Sequence, residues 1–282
     1  MQKLKNIIVD KLFNSNLTST EINVLIFISQ FQGARGNVMG VYYKDVRKNI
    51  NCSIQAFYNA INGLKNKGFI MIQKESYYDM DILILDNDFS RSEAHTEGYI
   101  STGYDLIQRE EFYSLKAGEK TLLLFLFKLI GSAKGKVSIG VKKLYKILEE
   151  TMGIKKRCVQ NYLKSLKKFL NINISEGKYW FTVKKKKKIE TDRGAFSSNM
   201  AKVVCRRNRA VTSHRTFKDT VDLIYQYCND FGERLQVSFS AAFQKAIYSR
   251  NENKKNKYKW NREVHPAFVH KLLRQELGLE IA

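Results

Sequence analysis

The chain has 282 residues, 44% of them hydrophobic, a single proline and a formal net charge of +22. That length accommodates two or three domains with cores of their own, and a basic excess of this size points to a polyanionic partner. No stretch approaches the roughly 18 consecutive apolar residues of a membrane span, so no membrane association is expected.

The N-terminus, Met1 to Phe13, has an apolar face, but Lys5, Asp10 and Lys11 interrupt it, unlike the core of a signal peptide. Cys52, Cys158, Cys205 and Cys228 are far apart with no CxxC spacing, and they read as reduced thiols of a cytoplasmic protein. Charge is distributed unevenly. Residues 1–100 hold 11 Lys+Arg against 10 Asp+Glu, residues 101–188 hold 21 against 7, and residues 189–282 hold 17 against 10. Equal roles for the first two regions are not expected.

In chain order, Thr18 or Ser19 caps a helix with Glu21 in its first turn. Ile22, Leu25, Ile26, Ile28 and Ser29 form its apolar face, and Gly33 to Asn37 is turn chemistry. A short helix spans Tyr43 to Asn49. After a tight turn at Asn51 to Ser53, a third helix runs from Ile54 to Lys67 with Ile54, Phe57, Ile61 and Leu64 on one face. It stops at Gly68, and the apolar runs Phe69 to Ile72 and Ile82 to Leu85 make a hairpin.

The plan then recurs. Leu17, Glu21, Leu25 and Phe27 match Leu115, Glu119, Leu123 and Phe125, each 98 positions on. The second set has helices at Gly118 to Ile130, Val141 to Leu148 and Lys155 to Phe169, with Val159, Leu163 and Leu166 inward. Its hairpin strands are Ile172 to Ile174 and Tyr179 to Val183. Three helices and a terminal hairpin, with a helix end feeding straight into a strand at Leu64 to Ile70, are the pattern of a winged helix.

The expected class is mainly α with small β-wings (α+β): two tandem winged-helix domains at 1–88 and 103–188, joined by a linker at 89–102. A basic linker or arm at 189–216 leads to a helical region at 217–282. In that region Thr220 to Phe231, Ser240 to Arg250 and Pro266 to Leu277 read as helices, the last with proline in its first turn. It forms either a small bundle or a dock for a partner.

In a helix-turn-helix the third helix enters the major groove. On the second copy its outward residues are Lys155, Lys156, Arg157, Gln160, Asn161 and Lys164. Arg pairs with guanine O6/N7, and Asn or Gln with adenine N6/N7. Lys167 and Lys168 fall where phosphate lies. Lys184, Lys185, Lys186, Lys187 and Lys188 follow the last strand, either against the phosphate backbone or as a solubilising linker. The first copy presents Ser53, Gln55, Tyr58, Asn59 and Asn62 at matching places. With no positive charge there, that copy either reads sequence weakly or binds protein.

No enzyme is expected. His265 and His270 are five apart and fall on different sides of a helix, no phosphate-binding GxxxxGK[ST] occurs, and no cofactor or metal is implied.

The segment Gly103-Tyr104-Asp105-Leu106-Ile107-Gln108-Arg109-Glu110-Glu111-Phe112-Tyr113-Ser114-Leu115, followed by Lys120 to Leu126, looks like the entry to an initiator domain. Together with tandem winged helices over about residues 1–185, it resembles the replication initiators of bacterial plasmids and phages. The resemblance implies that the first winged helix contributes to a homodimer and the second binds repeated sites in duplex DNA at an origin. The leading expectation is therefore a sequence-specific double-stranded DNA-binding protein acting in replication or segregation of a mobile element. A transcription regulator with a C-terminal dimerisation or effector region is the alternative. A winged-helix adaptor between proteins is the alternative from another class, and a host protein is a further candidate partner of the C-terminal region.

Overall fold

The computed structural model describes residues 2–76, 78–91, 96–184, 187, 191–252 and 263–279, except for the side chains of Glu233, Arg250 and Glu252. The chain divides into two compact units, Gln2–Glu75 with Asp79–Glu190, and Thr191–Ala282 with Met1 and Ser76–Tyr78. The class is α+β: long helices with small antiparallel sheets.

The first unit opens with strand β1 (Lys3–Lys5) and helix α1 (Asn6–Phe13). Helix α2 (Ser19–Ile28) begins where the Glu21 N–H donates to Thr18 Oγ1 at 3.2 Å and the Glu21 carboxylate accepts the Thr18 N–H, a reciprocal capping box. Strand β2 (Asn37–Val41), α3 (Tyr43–Ile50), α4 (Ile54–Asn66), β3 (Ile70–Glu75) and β4 (Met80–Ile84) follow. The chain continues through β5 (Tyr99–Ser101), the single turns α5 (Asp105–Gln108) and α6 (Glu110–Tyr113), and α7 (Ala117–Ser132). It ends with β6 (Lys136–Gly140), α8 (Val141–Met152), α9 (Lys156–Leu166), β7 (Leu170–Ser175) and β8 (Lys178–Val183).

One order of elements therefore occurs twice: helix, strand, helix, helix, strand, strand. The sheets correspond as well, β2-β4-β3 and β6-β8-β7, with the last strand in the middle. The residues 98 apart hold the same places. Leu25 and Leu123 are fully buried, and Glu119 accepts the Lys116 N–H at 2.9 Å as Glu21 accepts that of Thr18. The first strand of each sheet, β2 and β6, begins at the last residue of the expected turn, Asn37 or Lys136, and covers residues for which no element was expected.

The copies share one apolar core. Strand β1 pairs antiparallel with β5 about Leu4 and Ile100, so the end of the expected 89–102 linker is a strand. Asn6 N–H donates to Gly98 O at 3.1 Å and Thr102 N–H to Gln2 O at 2.9 Å, mates about a local twofold through that pair. Phe13 stacks on Phe125 with ring centroids 4.2 Å apart, and Lys128 pairs with Asp10. Stacking of the buried Phe13 ring on the partly buried Phe125 and the β-ladder hold the copies in register.

Asn87, only 1% exposed, ties this join together. Its Oδ1 accepts the Lys5 N–H at 2.9 Å, and its Nδ2 donates to Lys3 O at 3.1 Å and to Gln32 Oε1. Removing a buried amide leaves its partners desolvated and unpaired. Asn87→Ala is expected to lower the stability of this unit by about 3 kcal/mol, read as a lower urea midpoint at unchanged slope. A shift indistinguishable from that of an exposed control such as Asn62→Ala would sink the assignment.

In the second unit, the described part of the expected 189–216 arm, from Thr191 on, is largely helical. Thr191 caps helix α10 (Asp192–Arg207) by accepting the Gly194 N–H at 3.0 Å. Ala195, Met200, Ala201, Val203 and Val204 are buried, which outweighs the arginine-rich surface. Helix α11 runs over His214–Glu252, interrupted at Gly232, whose φ of 49° and ψ of −123° only glycine adopts readily. The two expected helices are thus the two segments on either side of Gly232, longer than expected and meeting at that kink. Helix α12 (Pro266–Glu276) carries proline in its first turn as expected and packs on α11.

Candidate nucleic-acid interface

Helix α9 is positioned by its apolar edge. Gly153, in the left-handed region at φ 63°, ends α8, and the chain re-enters a helix at Lys156. Val159, Leu163 and Leu166 lie on one face at steps of four and three and are buried. The opposite face is therefore forced outward: Lys155, Lys156, Arg157, Gln160, Asn161, Lys164, Lys167 and Lys168 are all exposed. The helix contains no acidic residue. Its outer face offers cationic donors along its length, with the amide donors and acceptors of Gln160 and Asn161 between them.

Beside it, β7 and β8 form a hairpin whose two-residue turn, Glu176 and Gly177, has φ of 51° and 68°. Positive φ at both turn positions matches the twist of the flanking strands. Ile174, 65% exposed, stands near the tip. Across the sheet's outer face Lys136 Nζ lies 4.3 Å from the Trp180 ring centroid, and Asn171 Nδ2 donates to Thr182 Oγ1 at 3.3 Å. Lys136 and Trp180 were not among the expected site residues. The alternation in Lys136-Val137-Ser138-Ile139 was their only signal.

Lys184 and Lys187 are exposed, whereas Lys185, Lys186 and Lys188 lie outside the described residues. The backbone of Lys187 is anchored: its N–H donates to Asp105 Oδ1, and Asp105 N–H donates to Lys187 O, both at 2.9 Å. That backbone hydrogen bond, aided by Arg109, holds the Asp105 carboxyl below its ordinary pKa.

The first copy's helix α4 buries Phe57, Ala60, Ile61 and Leu64. Ile54, expected inward, is 44% exposed because it occupies the first helical position, a turn ahead of the core. Ser53, Gln55, Tyr58, Asn59 and Asn62 are exposed as a neutral row. Much of that row is already engaged. Ser53 Oγ accepts the Ala56 N–H at 3.0 Å as the helix cap, Gln55 Nε2 donates to Asn59 Oδ1 at 2.8 Å, and the Tyr58 ring lies 6.5 Å from that of Tyr43.

Among the described residues, no three His, Cys, Asp or Glu side chains gather as a metal site, and no helix is long and apolar enough to cross a membrane. His270 Nε2 is 2.7 Å from the Tyr227 hydroxyl, a contact between α12 and α11. No protein-family model, no curated protein and no solved structure matches this chain.

Proposed function

We propose that the two copies are winged helices and that the chain is a sequence-specific double-stranded DNA-binding protein whose main reading head is α9. One observation carries this reading: burial of Val159, Leu163 and Leu166 turns Arg157, Gln160 and Asn161 outward on a helix that has lysines on and beside that face and no acid. Arg and amide side chains are the groups that make paired hydrogen bonds to base edges, and the surrounding lysines supply phosphate contacts. The hairpin of β7 and β8 stands where a wing would meet the adjoining backbone. The outward row of helix α4, neutral and partly self-bonded, takes a subsidiary part.

Within this class we read the protein as an initiator of replication, or a segregation factor, of a plasmid or phage. The tandem copies, joined through β1 and β5, support that reading by offering two recognition helices from one body. Selection of bound sequences from random duplexes at two salt concentrations tests it. A recovered motif that recurs as repeats beside AT-rich DNA is the expected result. A motif occurring singly over a promoter would assign the protein to transcriptional control. Salt-sensitive retention with no motif would reject base readout, and no retention at low salt would reject DNA binding.

A further inference from the structure

The sheet of the second copy has one face in the core and one outside it. Along β8, Tyr179 and Phe181 are buried, whereas Trp180 between them points the other way and takes no part in the core. Its partners across the sheet are Ser138 on β6 and Asn173 on β7. Lys136, Lys178 and Asn171, each two residues along a strand from one of these three, stand on the same face. Apart from the half-buried indole, all these side chains are exposed. Neither lysine has an ion pair with a described residue, and the indole N–H and the Asn173 amide have no hydrogen-bond partner among them. The face carries no acid, since Glu176 sits beyond it in the hairpin turn.

The first copy is built differently at the same place. The bond after its last strand, Leu85 N–H to Phe69 O at 3.0 Å, recurs as Lys184 N–H to Phe169 O at 3.0 Å, which puts Trp180 in step with Asp81. Asp81 accepts the Gly40 N–H at 2.7 Å and lies opposite Lys74 on the neighbouring strand. The fold therefore does not require an aromatic ring there. Where the first copy has a carboxylate, which repels a polyanion, the second has an indole flanked by two lysines.

A base in a duplex is stacked on both faces, so an indole lying on an open sheet meets one only in an unpaired strand. Residues two apart on a strand are separated by roughly 7 Å and adjacent strands by about 5 Å, so the face spans roughly one or two nucleotides.

We propose that the outer face of β6-β8-β7 binds single-stranded DNA. One base stacks on Trp180, the amides of Asn171 and Asn173 meet base edges, and Lys136 and Lys178 meet the adjoining phosphates. The present contact of Lys136 with the indole is weak at an exposed site, so a base displaces it. The choice of DNA over RNA rests on the duplex-binding reading above, whereas the stacking does not.

The full chain is titrated with a thymidine decamer and with an abasic decamer of the same backbone, which holds the phosphates constant. The thymidine strand is expected to bind about tenfold more tightly. Trp180→Ala should remove that preference and leave the abasic strand within about twofold, and Trp180→Phe should restore part of it. In a Trp260→Phe background Trp180 is the sole tryptophan, and its fluorescence should be quenched by the thymidine strand and not by the abasic one. If Trp180→Ala fails to fold, the quenching decides alone. Equal affinity for the two strands, an unchanged preference in a folded Trp180→Ala, or unquenched fluorescence would each overturn the proposal. Tighter binding of a uridine ribo-decamer than of the thymidine strand would overturn the assignment to DNA. Because the comparison of strands is blind to the lysines of α9, its failure leaves the duplex reading standing. Failure of the duplex selection would leave the stacking result standing.

Discussion

Arg157→Ala and Asn161→Ala are each expected to weaken binding to the selected sequence by about 10- to 100-fold while leaving random duplex within about twofold. Both side chains are exposed and neither packs in the core, so the variants should melt with the wild type. The effect arises because a paired hydrogen bond to a base edge is worth about 1–3 kcal/mol against the wrong base. Replacing Lys184 to Lys188 by Gln should behave differently. It should weaken every sequence alike and flatten the log–log salt dependence by up to about 4.5, at about 0.9 for each phosphate no longer neutralised. The two sets of variants thus separate readout from attraction. If Arg157→Ala weakened all sequences equally, α9 would be a phosphate-binding helix and the reading head would lie elsewhere. An unchanged salt slope in the lysine variant would make Lys184 to Lys188 a solvated connection.

The helices were legible because their signals are local. Thr18 and Ser53 cap within three residues, and the 3.6-residue spacing of Val159, Leu163 and Leu166 fixes which side of α9 faces out before any tertiary contact is known. Strands β1, β2, β5 and β6 were not legible. Each is three to five residues long, and β1 finds its partner 96 positions away. Helix α10 hid its face behind small residues, since Ala195, Ser197 and Ala201 pack against neighbours without standing out as an apolar stripe. At the interface, side-chain direction followed from periodicity, whereas the anchoring of Lys187 by Asp105 depends on a contact across 82 residues. Nor does anything local mark Lys120 as buried. It reads as one more cation near the start of an apolar helix, and only the neighbouring copy's Ser19 completes its surroundings.

Lys120 is the group by which pH should act on the join between the copies. The side chain is 0% exposed, and its Nζ donates to Tyr113 O at 2.8 Å, to Leu115 O at 2.7 Å and to Ser19 Oγ. All three acceptors are neutral, so burial is not offset by a direct ion pair. Desolvation pulls its pKa from 10.5 down to about 8, with the nearby Glu119 acting in the opposite direction. A depressed lysine binds fewer protons folded than unfolded between those two values, so stability should rise with pH across about 8 to 10.5. Below about 8 the full penalty of burying the ammonium is present. The gap corresponds to an upper bound of about 3 kcal/mol. Tyr113, pushed up to about 12 by burial, acts in the opposite sense above its ordinary 10.0, so the useful window closes near there. Comparing wild type with Lys120→Met cancels that and every other titration the two proteins share. The urea midpoint of the wild type is expected to gain on that of the variant steadily from pH 8 to pH 10. Parallel curves would mean that the ammonium is not held in an apolar join, and the packing of α7 against the first copy would then have to be redrawn.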